Sequence, residues 1–220
     1  KLSPEVAEAV EARYGLDLAE GYGLTEASPV IASALGTGAP RGSVGLPVPG
    51  LEVRLVDLEG RDVLLGDTGE VWVRGPNVFA GYWEDEEATA RVLDSDGWLH
   101  TGDLAVVDDD GFLYLVDRAK DLIIVSGFNV FPAEVEEVLL EHPAIERAAV
   151  IGVAHPHTGE AVRAYVVTRD GCSIEEDDAI EFAASRLARY KCPNKVTFVD
   201  QIPTGLGGKV IRRVLRESGN

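Results

Sequence analysis

The chain of 220 residues is 45% hydrophobic, enough to bury a substantial core, and sets 38 acidic against 20 basic residues for a formal net charge of −18. A field of that sign repels polyanions, which excludes nucleic acid as a broad-surface partner. Any polyanionic small molecule must bind where cations, backbone N–H groups or a metal ion act locally.

In chain order, Ser3 and Pro4 open a helix over 4–13, as a capping hydroxyl followed by a first-turn proline. A short apolar strand, Leu16–Ala19, then feeds a polar loop, Gly21–Glu26. From Pro40 to Val116 the pattern is β-rich. Strands are expected at Leu51–Val56, Glu70–Arg74 and Phe112–Val116, a tight hairpin turn at Asp110-Gly111, and one short helix at Glu86–Leu93. After Asp117–Lys120 helices and strands alternate: strand Leu122–Val125, helix Pro132–Glu141, strands Ala148–Val153 and Ala161–Thr168, then a packing helix. That helix carries a capping box, Ser173 with Glu176, and an apolar face of Ile180, Ala183, Ala184 and Leu187. A basic helix closes the chain. The expected fold is therefore mixed α/β (α+β): a β-rich region over 1–117 and a smaller mixed domain over 118–220, joined by a charged hinge at 117–121.

The two cysteines, Cys172 and Cys192, form no CxxC pair and imply no disulfide framework, so both read as packing residues in a reducing, cytoplasmic compartment. His155-Pro-His157 has no carboxylate or cysteine at ligand spacing and is not read as a metal site. No apolar run is long enough to span a bilayer.

Among candidate chemistry, Pro203-Thr-Gly-Leu-Gly-Gly-Lys209 stands out, because only five of the 20 basic residues are lysines. It is not a phosphate loop, since Pro203 and Val210 occupy the positions that require glycine and Ser or Thr. Nor is Gly21-Tyr-Gly-Leu-Thr-Glu26 a dinucleotide fingerprint, because Glu26 falls where a small residue belongs and would repel a pyrophosphate.

Four motifs occur together: Gly21–Glu26, Trp98-Leu-His-Thr-Gly-Asp103, the run Asp117-Arg-Ala-Lys-Asp-Leu-Ile-Ile-Val-Ser-Gly-Phe-Asn-Val-Phe-Pro-Ala-Glu-Val-Glu136, and the Lys209 loop. In this order and spacing the chain resembles the adenylate-forming (acyl-activating) enzymes over essentially its whole length. Ile-Val-Ser-Gly-Phe-Asn-Val-Phe-Pro is most similar to the fatty acyl-CoA synthetases. The resemblance implies AMP-forming ligation: a carboxylate attacks the α-phosphate of ATP with Mg2+ present, and the acyl adenylate is captured by the thiol of coenzyme A. It also implies roles. Lys209 would be the catalytic ammonium, Tyr22 would stack on adenine, Thr25 would contact phosphates, and Glu26 would bind Mg2+. Asp103 and Arg118 would hold the ribose, Lys120 would be the hinge of a rotating C-terminal domain, and Gly127 would line the coenzyme A channel.

The chain contains no methionine, and the Ser/Thr/Gly-rich phosphate loop that the family carries upstream of Gly21 is missing. It is therefore expected to be the C-terminal part of a longer enzyme, weak or inactive alone. Two alternatives use the same sequence: an adenylating enzyme that loads a carrier protein's phosphopantetheine, and a noncatalytic binding module.

Overall fold

A computed structural model describes residues 4–57, 59–205 and 209–218. The chain divides into an N-terminal unit ending at Ala119 and a C-terminal unit beginning at Lys120, and the mixed α/β expectation holds.

The N-terminal unit opens with α1 (Pro4–Tyr14) and a small antiparallel sheet of β1 (Gly21–Gly23), β2 (Val30–Ser33) and β3 (Leu46–Pro47). The strand expected at Leu16–Ala19 does not form. Leu16 and Leu18 are 60% and 40% exposed, and pairing starts instead at Gly21, inside the stretch read as a loop. The reason is close approach: a Cβ on Gly23 would sit 1.9 Å from the Pro29 carbonyl oxygen, so only glycine brings β1 against the start of β2.

A four-stranded antiparallel sheet follows, ordered β4 (Glu52–Val56), β5 (Gly69–Arg74), β6 (Leu99–Val107) and β7 (Leu113–Arg118). Helix α2 (Glu86–Val92) lies between β5 and β6 in sequence, and Asp85 caps it by accepting from the Ala88 amide at 2.8 Å. Strand β5 buries Gly69, Val71 and Val73 on one face in strict alternation. Strand β6 escapes sequence reading because register shifts interrupt its pairing on both sides, between Glu70 and Trp72 and between Leu104 and Ala105. The turn at Asp110-Gly111 is wider than expected. Asp108–Phe112 forms a loop in which Asp108 Oδ1 accepts from the amides of Asp110 and Phe112.

In the C-terminal unit, β8 (Ile123–Val125) and β9 (Phe128–Val130) form a hairpin, followed by α3 (Pro132–Leu140) and the long antiparallel pair β10 (Ile145–His155) and β11 (Gly159–Thr168). After α4 (Glu176–Ala184), β12 (Lys195–Phe198) runs parallel to β11, and α5 (Arg212–Ser218) follows. Alternate residues of β10 and β11 serve two cores. Val150, Val162, Ala164 and Val166 join the cluster containing Val135, Leu139, Ala179 and Ala183 from α3 and α4. Ala149, Ile151 and Tyr165 join Leu215 of α5 on the other face. Burial on both faces explains the near-continuous apolar runs of these strands.

The capping box does not form. The N-cap of α4 is Glu175, which makes no side-chain cap bond, and Glu176 Oε1 instead accepts from the Val196 amide at 2.9 Å, tying α4 to β12. Ala184 of the expected apolar face is exposed. Cys172 is exposed rather than packed, and Cys192 is half-buried; both are free thiols.

Candidate functional site

Asp103 and Arg118 are cross-strand partners in the β6–β7 ladder, so pairing alone puts a carboxylate and a guanidinium side by side. Arg118 Nε lies 3.4 Å from Asp103 Oδ1, with side chains 49% and 19% exposed respectively. The other carboxylate oxygen, Oδ2, accepts from the Tyr22 hydroxyl at 2.7 Å. The Asp103 amide donates to Thr101 Oγ1 at 3.1 Å, and that hydroxyl donates to the Val71 carbonyl at 2.8 Å. Glu70 Oε1 accepts from the Gly102 amide at 2.9 Å. The backbone before Asp103 is thus held by two side chains.

Tyr22 is 7% exposed and belongs to the unit's hydrophobic core. Burial first, then the charge of Asp103, pushes its hydroxyl far above the usual phenol range. It is a permanent neutral donor to the carboxylate. The ring expected to stack on adenine is therefore mostly covered, and its defined contact is this hydroxyl.

Thr25 and Glu26 lie in a one-turn 3-10 helix, Thr25–Ala27, directly after β1. Thr25 is exposed. Three residues absent from the sequence expectations brace this turn. Asn77 Nδ2 donates to the carbonyls of Ala27 and Val30, the Phe79 amide donates to the Glu26 carbonyl at 2.8 Å, and Tyr82 OH donates to Glu26 Oε1 at 2.7 Å. That hydrogen bond is the main reason the Tyr82 hydroxyl titrates above its ordinary range. No local pattern in 77–82 announces this contact, because it spans more than fifty positions of sequence.

Among the described residues, no group of three or more His, Cys, Asp or Glu converges to hold a metal ion. Mg2+ commonly takes only one or two carboxylates and fills its octahedron with phosphate oxygens and water. Glu26, a hard oxygen donor at a partly exposed turn, fits such a shared site.

The remaining expected residues stand on separate segments of the C-terminal unit. Lys120 is exposed in the 3-10 turn Ala119–Asp121. Ser126 and Gly127 form the two-residue turn of the β8–β9 hairpin, with φ of 52° and 84°, the left-handed pair such hairpins require. Gly127 is favoured by that φ alone, because a Cβ there would meet only open space. Lys209 is exposed on a closed loop: the Gly205 amide donates to the Lys209 carbonyl and the Ile211 amide to the Pro203 carbonyl, both at 2.8 Å. Residues 206–208 lie outside the described residues.

Comparison with known proteins shows the class to which both units belong. The AMP-binding enzyme pattern covers residues 1–83, and the pattern of the AMP-binding enzyme C-terminal domain covers residues 134–209; the chain belongs to this family. It is 49% identical over 218 residues to a long-chain-fatty-acid–CoA ligase of Yersinia pestis, an alignment covering 96% of this chain and 38% of the ligase. The chain therefore spans well under half the length of that relative. Two solved structures are also similar. ATP-bound MatB from Rhodopseudomonas palustris is 39% identical with a TM-score of 0.89, covering 97% of this chain and 43% of that one. The o-succinylbenzoate–CoA synthetase of Bacillus subtilis, in complex with an acyl-adenylate intermediate, is 34% identical with a TM-score of 0.85, covering 96% of this chain and 43% of that one.

Proposed function

We propose that this chain contributes the ribose-binding and acyl-transfer parts of an AMP-forming ligase that joins a fatty acid to coenzyme A through an acyl adenylate. The observation that carries the reading is Asp103, whose carboxylate is held by Tyr22 and Arg118 and whose amide is held by Thr101, yet whose side chain is still 19% exposed. Each carboxylate oxygen has two lone-pair directions. The contacts from Tyr22 and Arg118 leave capacity for the paired hydroxyls of a ribose, and Arg118, half exposed, supplies a donor beside them.

In the first half-reaction Lys209 would bring an ammonium to the carboxylate and α-phosphate as negative charge gathers on the transferring group. Mg2+, when bound at Glu26 and the phosphates, would neutralise charge there. Thr25, exposed at the same turn, would donate to a phosphate oxygen, and Tyr82 would keep the Glu26 carboxylate aimed. In the second half-reaction a backbone change at Lys120 would remove Lys209 and bring the Ser126-Gly127 turn toward the pantetheine arm of coenzyme A. We read the unit ending at Ala119 as the end of the large adenylation domain, and the unit from Lys120 as the mobile domain.

The test is ATP–pyrophosphate exchange with a panel of fatty acids, followed by thioester formation with coenzyme A. It is run on this chain and on the chain joined behind the upstream part of the Yersinia pestis ligase. Exchange by the joined enzyme and none by the chain alone is the expected result. A joined enzyme that is folded but inert with every fatty acid would sink the reading, and transfer only to a carrier protein would redirect it.

A further inference from the structure

The C-terminal unit holds a cluster of mostly buried charges that the reaction scheme above leaves unused. Asp121, next to Lys120, has a side chain only 8% exposed; it accepts from Arg216 Nη2 at 2.9 Å and lies 3.5 Å from Arg212 Nη1. Arg212 Nη2 also donates to Glu136 Oε1 of α3 at 2.7 Å, with the two side chains 16% and 15% exposed. The same Glu136 oxygen accepts from the Val150 amide, while Arg212 Nε donates to the Val150 carbonyl at 3.1 Å. One guanidinium thus binds the post-Lys120 segment, α3 and β10 together.

Apolar packing would hold α5 without this. Leu215 is already buried, and its carbonyl accepts from Tyr165 OH. Hydrophobic contact is non-directional, however, whereas a planar guanidinium facing two carboxylates and a carbonyl fixes both rotation and register. Arg212 opens α5 and stands three positions after Lys209 in the sequence. Between them, Ile211 is bonded back to Pro203, and Thr204 and Val210 form a β-bridge. The network therefore lies between the residue read as the hinge and the residue read as the catalytic ammonium.

We infer that Arg212 and Arg216, acting through Asp121 and Glu136, fasten the base of the Lys209 loop to the segment just after Lys120 and are positioning residues for the Lys209 ammonium. Rotation at Lys120 then carries the lysine as part of one rigid body. The inference rests on the proposed roles of Lys209 and Lys120.

The first experiment needs no activity: amide hydrogen exchange of the 220-residue chain. Arg216→Gln, which alters the more exposed of the two arginines (40% side-chain exposure), should raise exchange at Gly205 and Ile211 by about tenfold while Leu139, Ala149 and Ala164 keep their protection. Val135→Ala, a core substitution in the same unit, serves as the control and should loosen Leu139 and Ala164 at least as much as Gly205 and Ile211. A uniform rise in Arg216→Gln, or no change at Gly205 and Ile211, overturns the inference. Arg212→Met is the stronger variant, and if it fails to fold Arg216→Gln still decides.

In the joined enzyme, Arg216→Gln should slow ATP–pyrophosphate exchange about tenfold, as expected of a misplaced catalytic group, with partial recovery in Arg216→Lys and little change in thioester formation from supplied acyl adenylate. Equal loss of both half-reactions counts against positioning. If Lys209→Ala leaves exchange intact, the reading of Lys209 has failed, whereas the hydrogen-exchange result still judges the mechanical link.

Discussion

Asp103 and Lys209 are held in opposite ways. Asp103 sits in a β ladder with its carboxylate bonded to Tyr22, its amide to Thr101 and its oxygen beside Arg118. Lys209 has an exposed side chain, and what the structure fixes is its backbone, through the Gly205 amide on one side and the Ile211–Pro203 bond on the other. A group that recognises the same ribose hydroxyls throughout a reaction gains from a rigid side chain, because the ordering cost is met on folding. A group needed in only one of two half-reactions gains from a rigid loop and a free-ranging side chain. The two modes of support therefore fit a lasting contact and a transient one.

The largest expected effect tests the transient member. In the joined enzyme Lys209→Ala should reduce ATP–pyrophosphate exchange by about 10²–10³-fold, the usual loss for one preorganised charge donor. Thioester formation from supplied acyl adenylate should be largely spared. Equal loss of both steps would erase the contrast with Asp103.

If Asp103 holds the ribose through both half-reactions, as proposed, Asp103→Ala in the joined enzyme should weaken the two together. Losing a charged acceptor for hydroxyls costs about 1.5–3 kcal/mol, read as a rise in the apparent Kd for ATP with smaller changes in rate at saturation. An effect confined to the exchange step would make Asp103 as transient as Lys209.

Gly127→Ala comes next. At φ of 84° an L-residue costs about 1–2 kcal/mol, while the open space around the position of the added methyl group means no clash is added. The C-terminal unit should therefore lose modest stability in urea. If Gly127 lines the coenzyme A path, the thioester step should slow more than the exchange step, whereas an unchanged ratio would leave the glycine as a turn residue only.

How legible this was differs between the units. The strands β10 and β11 and helix α3 were readable because two-sided burial writes unbroken apolar runs and a proline marks the helix start. Strand β6 was not, because its pairing shifts register on both edges and its motif reads as a loop. At the candidate site, Asp103, Arg118 and Tyr22 were named from motifs, and the structure brings those three into direct contact. Asn77 and Tyr82 were invisible because they act on Glu26 and its turn from a distant segment through a few isolated hydrogen bonds, which leave no periodicity. Ser173 shows the reverse failure: a capping pattern was present, but Glu176 found a better-placed donor in the Val196 amide.

A comparably modest effect concerns Tyr22 and bears on how rigid the Asp103 side really is. Burial and the adjacent Asp103 charge favour the neutral phenol in the folded unit, so its pKa lies above that of the exposed phenol in the unfolded chain. This contribution to stability is fully present below about pH 10, the ordinary phenol value, and is lost as pH rises from there toward the folded value, because the unfolded state then releases a proton that the folded state retains. All three tryptophans, Trp72, Trp83 and Trp98, belong to the N-terminal unit, so their fluorescence reports its unfolding alone. Tyr22→Phe should lower stability at pH 7 by about 1.5 kcal/mol, the worth of a hydrogen bond to a charged group. Its urea midpoint should also fall less steeply than wild type across the ordinary phenol range, from about pH 9.5 to about pH 11. Parallel curves would mean that the hydroxyl ionises as readily in the fold as outside it, and the Asp103 carboxylate would then lack the fixed donor that sets it apart from Lys209.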